Sequence, residues 1–139
     1  MKPTTGKRWG VLAGLSGAMA VAVSAWASHG LARALPPELL ERALAQAQSA
    51  TQLHMVHSLA LLAVAIWLRV QPQRWLHVAA ALFLAGIVCF SLGIYVLHLW
   101  WPALGTTALR NIVPLGGGAF ILGWLALAVA GLHAGSRQH

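Results

Sequence analysis

The sequence predicts an all-α membrane protein. Four transmembrane helices would form an antiparallel bundle, with a short amphipathic segment between spans one and two. Of its 139 residues, 59% are hydrophobic and only 8% are charged, whereas a typical soluble domain is about 25% charged. A soluble chain of this length has too little interior to bury so much apolar surface. Apolar runs of membrane-crossing length recur with polar segments between them, so we expect one four-span domain over residues 1–139.

The first span is predicted over residues 9–30, a charge-free run that follows Lys7 and Arg8. Small residues recur along it and predict a face for close helix packing: Gly10, Gly14, Gly17, Ser24 and Ser28. A second interpretation is a signal peptide, because a basic start and an apolar stretch precede the small-residue site at 25–27. We favour a retained helix, since the apolar stretch is long for a signal peptide.

Residues 31–52 have a different composition, with four charged side chains and three glutamines. Pro36 and Pro37 can begin a helix, because proline is tolerated in the first turn. Apolar residues then fall on one face. This pattern indicates either a short amphipathic helix on the membrane surface or an N-terminal extension of the next span, and the sequence fits both equally.

The remaining spans are predicted over 53–68, 75–99 and 112–132. Pro102 would stop the third span, and Pro114 fits the first turn of the fourth. The fourth span carries a small-residue stripe that predicts a packing face: Gly116, Ala119, Gly123, Ala126 and Ala130. The consecutive glycines at 116–118 have no side chains to cover the helix backbone, so that a partner helix or a ligand could approach closely.

Lysine and arginine counts predict the orientation, because cytoplasmic loops carry an excess of these residues. With the N-terminus inside, six lie on the inner side: Lys2, Lys7, Arg8, Arg69, Arg74 and Arg137. Three lie outside: Arg33, Arg42 and Arg110. We therefore expect both termini in the cytoplasm. The net charge of +7 does not indicate nucleic-acid binding, because the basic residues are distributed between the apolar runs rather than clustered.

Antiparallel threading predicts that polar side chains converge at the outer side of the bundle, beside the start of the fourth helix. The candidate ligand-binding residues are His29, His54, His57, Ser91, Tyr95 and His98. One interpretation is that these histidines lie at the interface or make hydrogen bonds, without a ligand. Another is a site for a small polar ligand or a transition metal, zinc or copper, held by His29, His54 and His57. A proton relay is the third.

No catalytic motif appears in the sequence. It contains no nucleophile elbow, no phosphate-binding glycine loop in a strand-then-helix setting, and no paired carboxylates within the spans. Its one cysteine, Cys89, cannot form an intrachain disulfide. We therefore expect a protein that is not an enzyme.

Four blocks of the chain resemble the small four-helix membrane family called domain of unknown function 423, which includes YgdD-like proteins and transmembrane protein 256. The blocks are Ala25-Trp26-Ala27-Ser28-His29-Gly30-Leu31, His54-x-x-His57-Ser58-Leu59-Ala60-Leu61-Leu62, Phe90-Ser91-x-x-x-Tyr95 and Pro114-x-Gly116-Gly117-x-x-Phe120-x-x-Gly123-Trp124. Departures are Ala27 for glycine, Gly93 for serine and Val113 for threonine. His98 is not part of the motif.

The resemblance implies a multi-pass protein of the bacterial inner membrane and does not favour an enzyme. It carries over His29, His57, Ser91 and Tyr95, together with Pro114, Gly116 and Gly117 as backbone or packing positions. We expect a small structural or accessory protein in contact with the lipid bilayer, with a second copy or another membrane protein as its partner. The alternative is a metal or small-ligand binder that uses the outer histidines.

Overall fold

A computed structural model describes residues 4–100, 106 and 111–134. Within these residues the chain forms four long helical spans, each apolar and long enough to cross a membrane. They are α1 (Thr4–Ala34), α2 (Pro37–Val70), α3 (Arg74–Gly86) and α4 (Ile112–Ala134), and α3 continues as two π-helical segments, Ile87–Leu92 and Tyr95–Trp100. The predicted all-α membrane fold is confirmed.

Helix α1 packs along α2 through one face of small residues at steps of three and four. The buried members are Ala13, Ser16, Ala20, Val23, Ala27 and Leu31. The closest approach is at Gly6, where an added Cβ would lie 2.9 Å from the carbonyl oxygen of Ala65. Gly14 has nothing within 4 Å, so the predicted packing of the Gly10 and Gly14 pair is wrong for Gly14. The face that packs is rotated toward Ala13 and Ser16.

Helix α2 is continuous over 34 residues, so the interpretation as an extension of the second span is correct and the separate amphipathic segment is wrong. Pro36 is extended, with φ −66° and ψ 154°, and Pro37 occupies the first turn. Proline suits that position because its missing N–H would have no helical partner there. Farther along, Ala43 and Ala47 pack with Ala27 and Leu31 of α1, and this contact supports the extension.

The third span packs on α4 where glycine on one helix meets phenylalanine on the other. An added Cβ at Gly123 would lie 2.7 Å from the Phe83 ring, and one at Gly116 would lie 2.8 Å from Phe90 Cβ. Both glycines therefore lie where the third span and α4 approach most closely among the described glycines of α4. Pro114 is exposed in the first turn of α4 and Gly117 has nothing within 4 Å, so neither residue takes part in this contact between the helices.

A three-residue turn joins α2 to α3 and also contacts the end of α4. The Gln71 side-chain amide donates to the carbonyl oxygen of Ala134 at 3.2 Å, and the Gln73 amide donates to that of Ala130 at 3.1 Å. The last carbonyls of a helix have no partner within it. The turn therefore donates two hydrogen bonds to the last described turn of α4.

Some predictions concern residues outside the described part of the chain. These are the basic residues Lys2, Arg110 and Arg137, the helix stop at Pro102 and the loop after it. His98 lies in the segment Tyr95–Trp100, but its side chain is also outside the described part.

Candidate functional site

A buried polar network joins the first three spans near the middle of the bundle. His54 of α2 has both ring nitrogens engaged: Nε2 lies 3.0 Å from the Ser16 hydroxyl of α1, and Nδ1 lies 3.1 Å from the Tyr95 hydroxyl of the third span. The Ser16 hydroxyl is 2.7 Å from that of Ser58, one turn along α2 from His54. His54 and Tyr95 are 0% exposed. This network is the main polar contact between α1 and the interior.

The hydrogen-bond directions in this network follow from counting protons. The Ser58 hydroxyl donates to the backbone carbonyl of His54 at 2.8 Å, so Ser16 must donate to Ser58. The Ser16 oxygen then accepts from Nε2–H of His54. A neutral imidazole carries one donor and one acceptor, so Nδ1 accepts from the Tyr95 hydroxyl. In this arrangement His54 donates through Nε2–H, and it accepts at Nδ1 and at its backbone carbonyl.

A second hydrogen bond joins α2 to the third span one helical turn away from the His54–Tyr95 pair. The Ser91 hydroxyl donates to the carbonyl oxygen of Ala50 at 3.1 Å. Ala50 and His54 are four residues apart on α2, as Ser91 and Tyr95 are on the third span, so each pair lies on one helical face. Ser91 is in one π-helical segment and Tyr95 begins the next. Such wide turns are common at functional sites.

His57 occupies a different environment, a buried aromatic cluster against α4. Its ring stacks on Phe120 with centroids 3.6 Å apart and an angle of 11°. The Trp124 indole donates to Nε2 at 3.1 Å, and Phe83 packs 5.5 Å from the imidazole. Because Nε2 accepts from the indole, Nδ1 carries the proton and donates to the carbonyl oxygen of Leu53 at 2.7 Å.

In their neutral forms, the two central histidines are therefore in opposite tautomers. His54 carries its proton on Nε2, and His57 carries its proton on Nδ1. Each ring has both nitrogens occupied by protein partners, so neither presents a lone pair to an added ligand without losing a hydrogen bond.

The predicted single cluster is distributed over three places. His54, Tyr95 and Ser91 are brought together, and His57 lies in the aromatic cluster. His29 is exposed in a groove between α1 and α2. Within the described residues there is no group of three histidine, cysteine or carboxylate side chains that could hold a metal. The geometry therefore does not provide the predicted shared metal shell of His29, His54 and His57.

The predicted position of His54 at a helix end is wrong because α2 begins at Pro37. His54 lies seventeen residues after Pro37 and sixteen before Val70, about 24–26 Å from each end at 1.5 Å per residue. Its ring is therefore in the interior, where a polar group must find partners.

Sequence reasoning missed four residues of these sites: Ser16, Phe83, Phe120 and Trp124. It also gave no role to Ser58. Two signals were present. Ser58 follows His54 by four residues and so shares its helical face, and Ser16 lies three residues from Ala13 and four from Ala20 in the small-residue face of α1. The partners of His57 on α4, Phe120 and Trp124, stand in the fourth sequence block, but their pairing with His57 cannot be read from spacing.

The groove that contains His29 has a volume of about 700 Å³. Its polar lining comes from both helices: Ser24, Ser28 and His29 of α1, and Gln48, Thr51 and Gln52 of α2. Ala20, Val21, Ala25 and Met55 complete it. The groove is open, so its polar groups can meet a molecule outside the bundle.

A comparison with protein families matches residues 23–117 to the family described as protein of unknown function (DUF423). This matched region includes His29, the histidine pair of α2 and Tyr95. The chain belongs to this family. Membership of the DUF423 family agrees with the resemblance seen in the four sequence blocks. Ser16 and Trp124, which complete the two buried sites, lie outside the region matched by the family model.

Curated relatives in the DUF423 family are membrane proteins, which agrees with the four apolar spans. The chain is 32% identical to a UPF0382 membrane protein of Haemophilus influenzae over 117 residues, covering 84% of this chain and 87% of the relative. It is 32% identical to the UPF0382 membrane protein YwdK of Bacillus subtilis, covering 86% and 92%. It is 34% identical to the UPF0382 membrane protein SAB0533 of Staphylococcus aureus, covering 86% and 91%. No solved structure matches the chain.

Proposed function

We propose that this protein is a small structural or accessory protein of the bacterial inner membrane and that it is not an enzyme. The observation that carries the proposal is the buried hydrogen-bond chain of Tyr95, His54, Ser16 and Ser58. Because its members come from α1, α2 and the third span, the chain links these three spans. In lipid, packing and such interhelical hydrogen bonds hold helices together, since lipid is as apolar as the helices themselves.

We also propose that both termini lie in the cytoplasm. The support is the excess of lysine and arginine on that side, six against three. Two boundary tryptophans agree with the helix pairing: Trp9 of α1 donates through its indole to Nδ1 of His77 in α3 at 3.2 Å, and Trp67 lies near the end of α2 on the same side. Aromatic side chains are enriched at this depth of a membrane.

The alternative is binding of a metal or small ligand through the outer histidines. Of the predicted set, only His29 is exposed among the side chains that the structure describes, and the polar groove around it is the feature that favours a ligand. Such a ligand would meet hydroxyls and amides rather than a shell of three imidazoles.

The two functions can be separated with protein purified without a His-tag. Metal content is measured first, and thermal unfolding in detergent is then compared with and without added zinc or copper, for the wild type and for Tyr95→Phe. The structural proposal expects no bound metal and no metal-dependent shift. It also expects Tyr95→Phe to cost about 1–3 kcal/mol, because Nδ1 of His54 loses its donor. Stoichiometric metal, or a melting temperature that rises with metal, would support the alternative and reject the proposal.

A further inference from the structure

The groove between α1 and α2 has a regular gradient of polarity along the helices. Antiparallel contacts such as Gly10 with Ala65 and Gly17 with Ser58 fix the register of the pair. Counting from Trp9 on α1 and Trp67 on α2, Val21 and Met55 are both about 18 Å from these residues at 1.5 Å per residue. This level of the groove is apolar.

Polar side chains replace apolar ones at the next levels. By the same helical rise, Ser24 and Gln52 lie about 22 Å from the tryptophans, and Ser28 and Gln48 lie about 28 Å from them. His29 follows on α1, and Arg33 is one turn beyond it on the same face. The hydrocarbon core of a bilayer is about 30 Å thick. The groove therefore passes from hydrocarbon depth to headgroup depth, and the positive charge of Arg33 lies one helical turn beyond its lining.

Three polar side chains of this groove lack protein partners in the described part of the chain, whereas Ser28 and Thr51 donate to carbonyl oxygens of their own helices. Gln48, Gln52 and His29 are exposed, and their side chains make no hydrogen bond to other described residues. Among the residues that the structure describes, α1 and α2 provide the lining of the groove. Amides that face hydrocarbon without a partner are costly, so this groove favours an occupant that supplies oxygen acceptors at that depth.

We propose that the groove holds one phospholipid, with an acyl chain along Val21 and Met55, its glycerol esters at Gln52 and its phosphate near Gln48, His29 and Arg33. Ester and phosphate oxygens are acceptors, and they match the amide donors of the two glutamines and the guanidinium of Arg33. The order of these groups along a lipid is the order of the side chains along the groove. A second copy of this chain offers no comparable match, since its exposed helix faces are mainly apolar.

The test uses full-length protein stripped of lipid in detergent, with phosphatidylglycerol as the probe. Two further compounds identify which part of the lipid is recognised: a diacylglycerol with the same acyl chains, and inorganic phosphate. Thermal unfolding reports binding, and native mass spectrometry counts bound lipids. We expect one retained phosphatidylglycerol and a rise in melting temperature that neither diacylglycerol nor inorganic phosphate reproduces.

A double variant, Gln48→Leu with Gln52→Leu, is expected to bind phosphatidylglycerol about tenfold more weakly or worse, because the lipid loses the amide donors to its ester and phosphate oxygens. Ser49→Leu is the matched control, because it also replaces a polar side chain with leucine on the same helix. Ser49 is exposed but does not line the groove, so this variant should bind as the wild type does. Arg33→Gln provides an independent variant if the double variant does not fold.

Four results would overturn the proposal. Equal stabilisation by diacylglycerol would show that acyl chains adsorb without headgroup recognition. Stabilisation by inorganic phosphate alone would indicate an ion site. Wild-type affinity in the double variant, or in Arg33→Gln, would place the lipid elsewhere. A dimer that dissociates in the double variant would assign the groove to a second copy of the chain.

Discussion

The contact between Gly116 and the third span predicts a large difference between two adjacent substitutions. An added Cβ at Gly116 would meet the Phe90 backbone nitrogen, with Phe90 Cβ at 2.8 Å and Cα at 2.9 Å. Ordinary van der Waals contacts begin at 3.4 Å, so α4 and the third span would have to separate by more than half an ångström. The neighbouring atom is backbone, and it cannot rotate away as a flexible side chain would.

The magnitude follows from two opposing effects. Alanine in place of glycine within a helix gains about 0.5–1 kcal/mol, because the unfolded chain loses conformational freedom. At Gly116 the separation of the helices outweighs this gain: overpacking costs about 1–3 kcal/mol, and a gap of about 0.5–1 Å removes a quarter to a half of the dispersion energy of the atoms it parts. Gly117→Ala, with nothing within 4 Å of the new methyl group, should keep the gain.

The assay is the free energy or temperature of unfolding in detergent, measured for Gly116→Ala and Gly117→Ala side by side. We expect Gly117→Ala to equal or exceed the wild type and Gly116→Ala to fall about 1–3 kcal/mol below it. Far-UV circular dichroism should show the same helix content in both variants. If Gly116→Ala were as stable as Gly117→Ala, the close approach of α4 to the Phe90 backbone would be wrong.

Three further outcomes are expected. Gly123→Leu should lower the free energy of unfolding by several kcal/mol, because even its Cβ would lie 2.7 Å from the Phe83 ring. Leu125→Ala, at a 57% exposed position, should change it by about 0.5 kcal/mol. Equal effects would mean that the small-residue stripe faces lipid. Trp124→Phe should cost about 1–3 kcal/mol, because Nε2 of His57 loses its donor, and a double-mutant cycle with His57→Leu should show coupling; additive losses would disprove the bond. A reporter enzyme active only in the periplasm, fused after the last residue, should be inactive; activity there would reverse the proposed orientation.

The spans of this fold could be predicted from sequence because membrane thickness dictates a minimum length of apolar helix. The third and fourth spans begin within one residue of their predicted starts, Trp75 and Ile112. The start of α2 was off by sixteen residues, at Pro37 rather than Leu53, since a polar surface helix and a polar extension of a span have the same composition. Only packing against α1 decides between them.

The site was predictable in its residue types and not in its grouping. The sequence identified the histidine pair on α2 and the polar positions on the third span. It could not separate His54 from His57, because residues three apart are neighbours on a helix surface, whereas here one meets Ser16 and Tyr95 and the other meets α4. The rotation of each helix about its axis decides this, and small residues such as Gly14 indicated the wrong rotation for α1.

The turn between α2 and α3 has a consequence for the vertical position of α4. An apolar helix in lipid has little preference for one depth over another, because sliding it along its axis exposes the same kind of apolar side chain to lipid. The side-chain amides of Gln71 and Gln73 donate to two carbonyl oxygens one helical turn apart, those of Ala134 and Ala130. A slide of one residue displaces both acceptors by about 1.5 Å, enough to break both bonds. The turn therefore fixes the depth of α4 relative to α2 and α3. It keeps Trp124 at the height of the His57 ring nitrogen to which its indole donates.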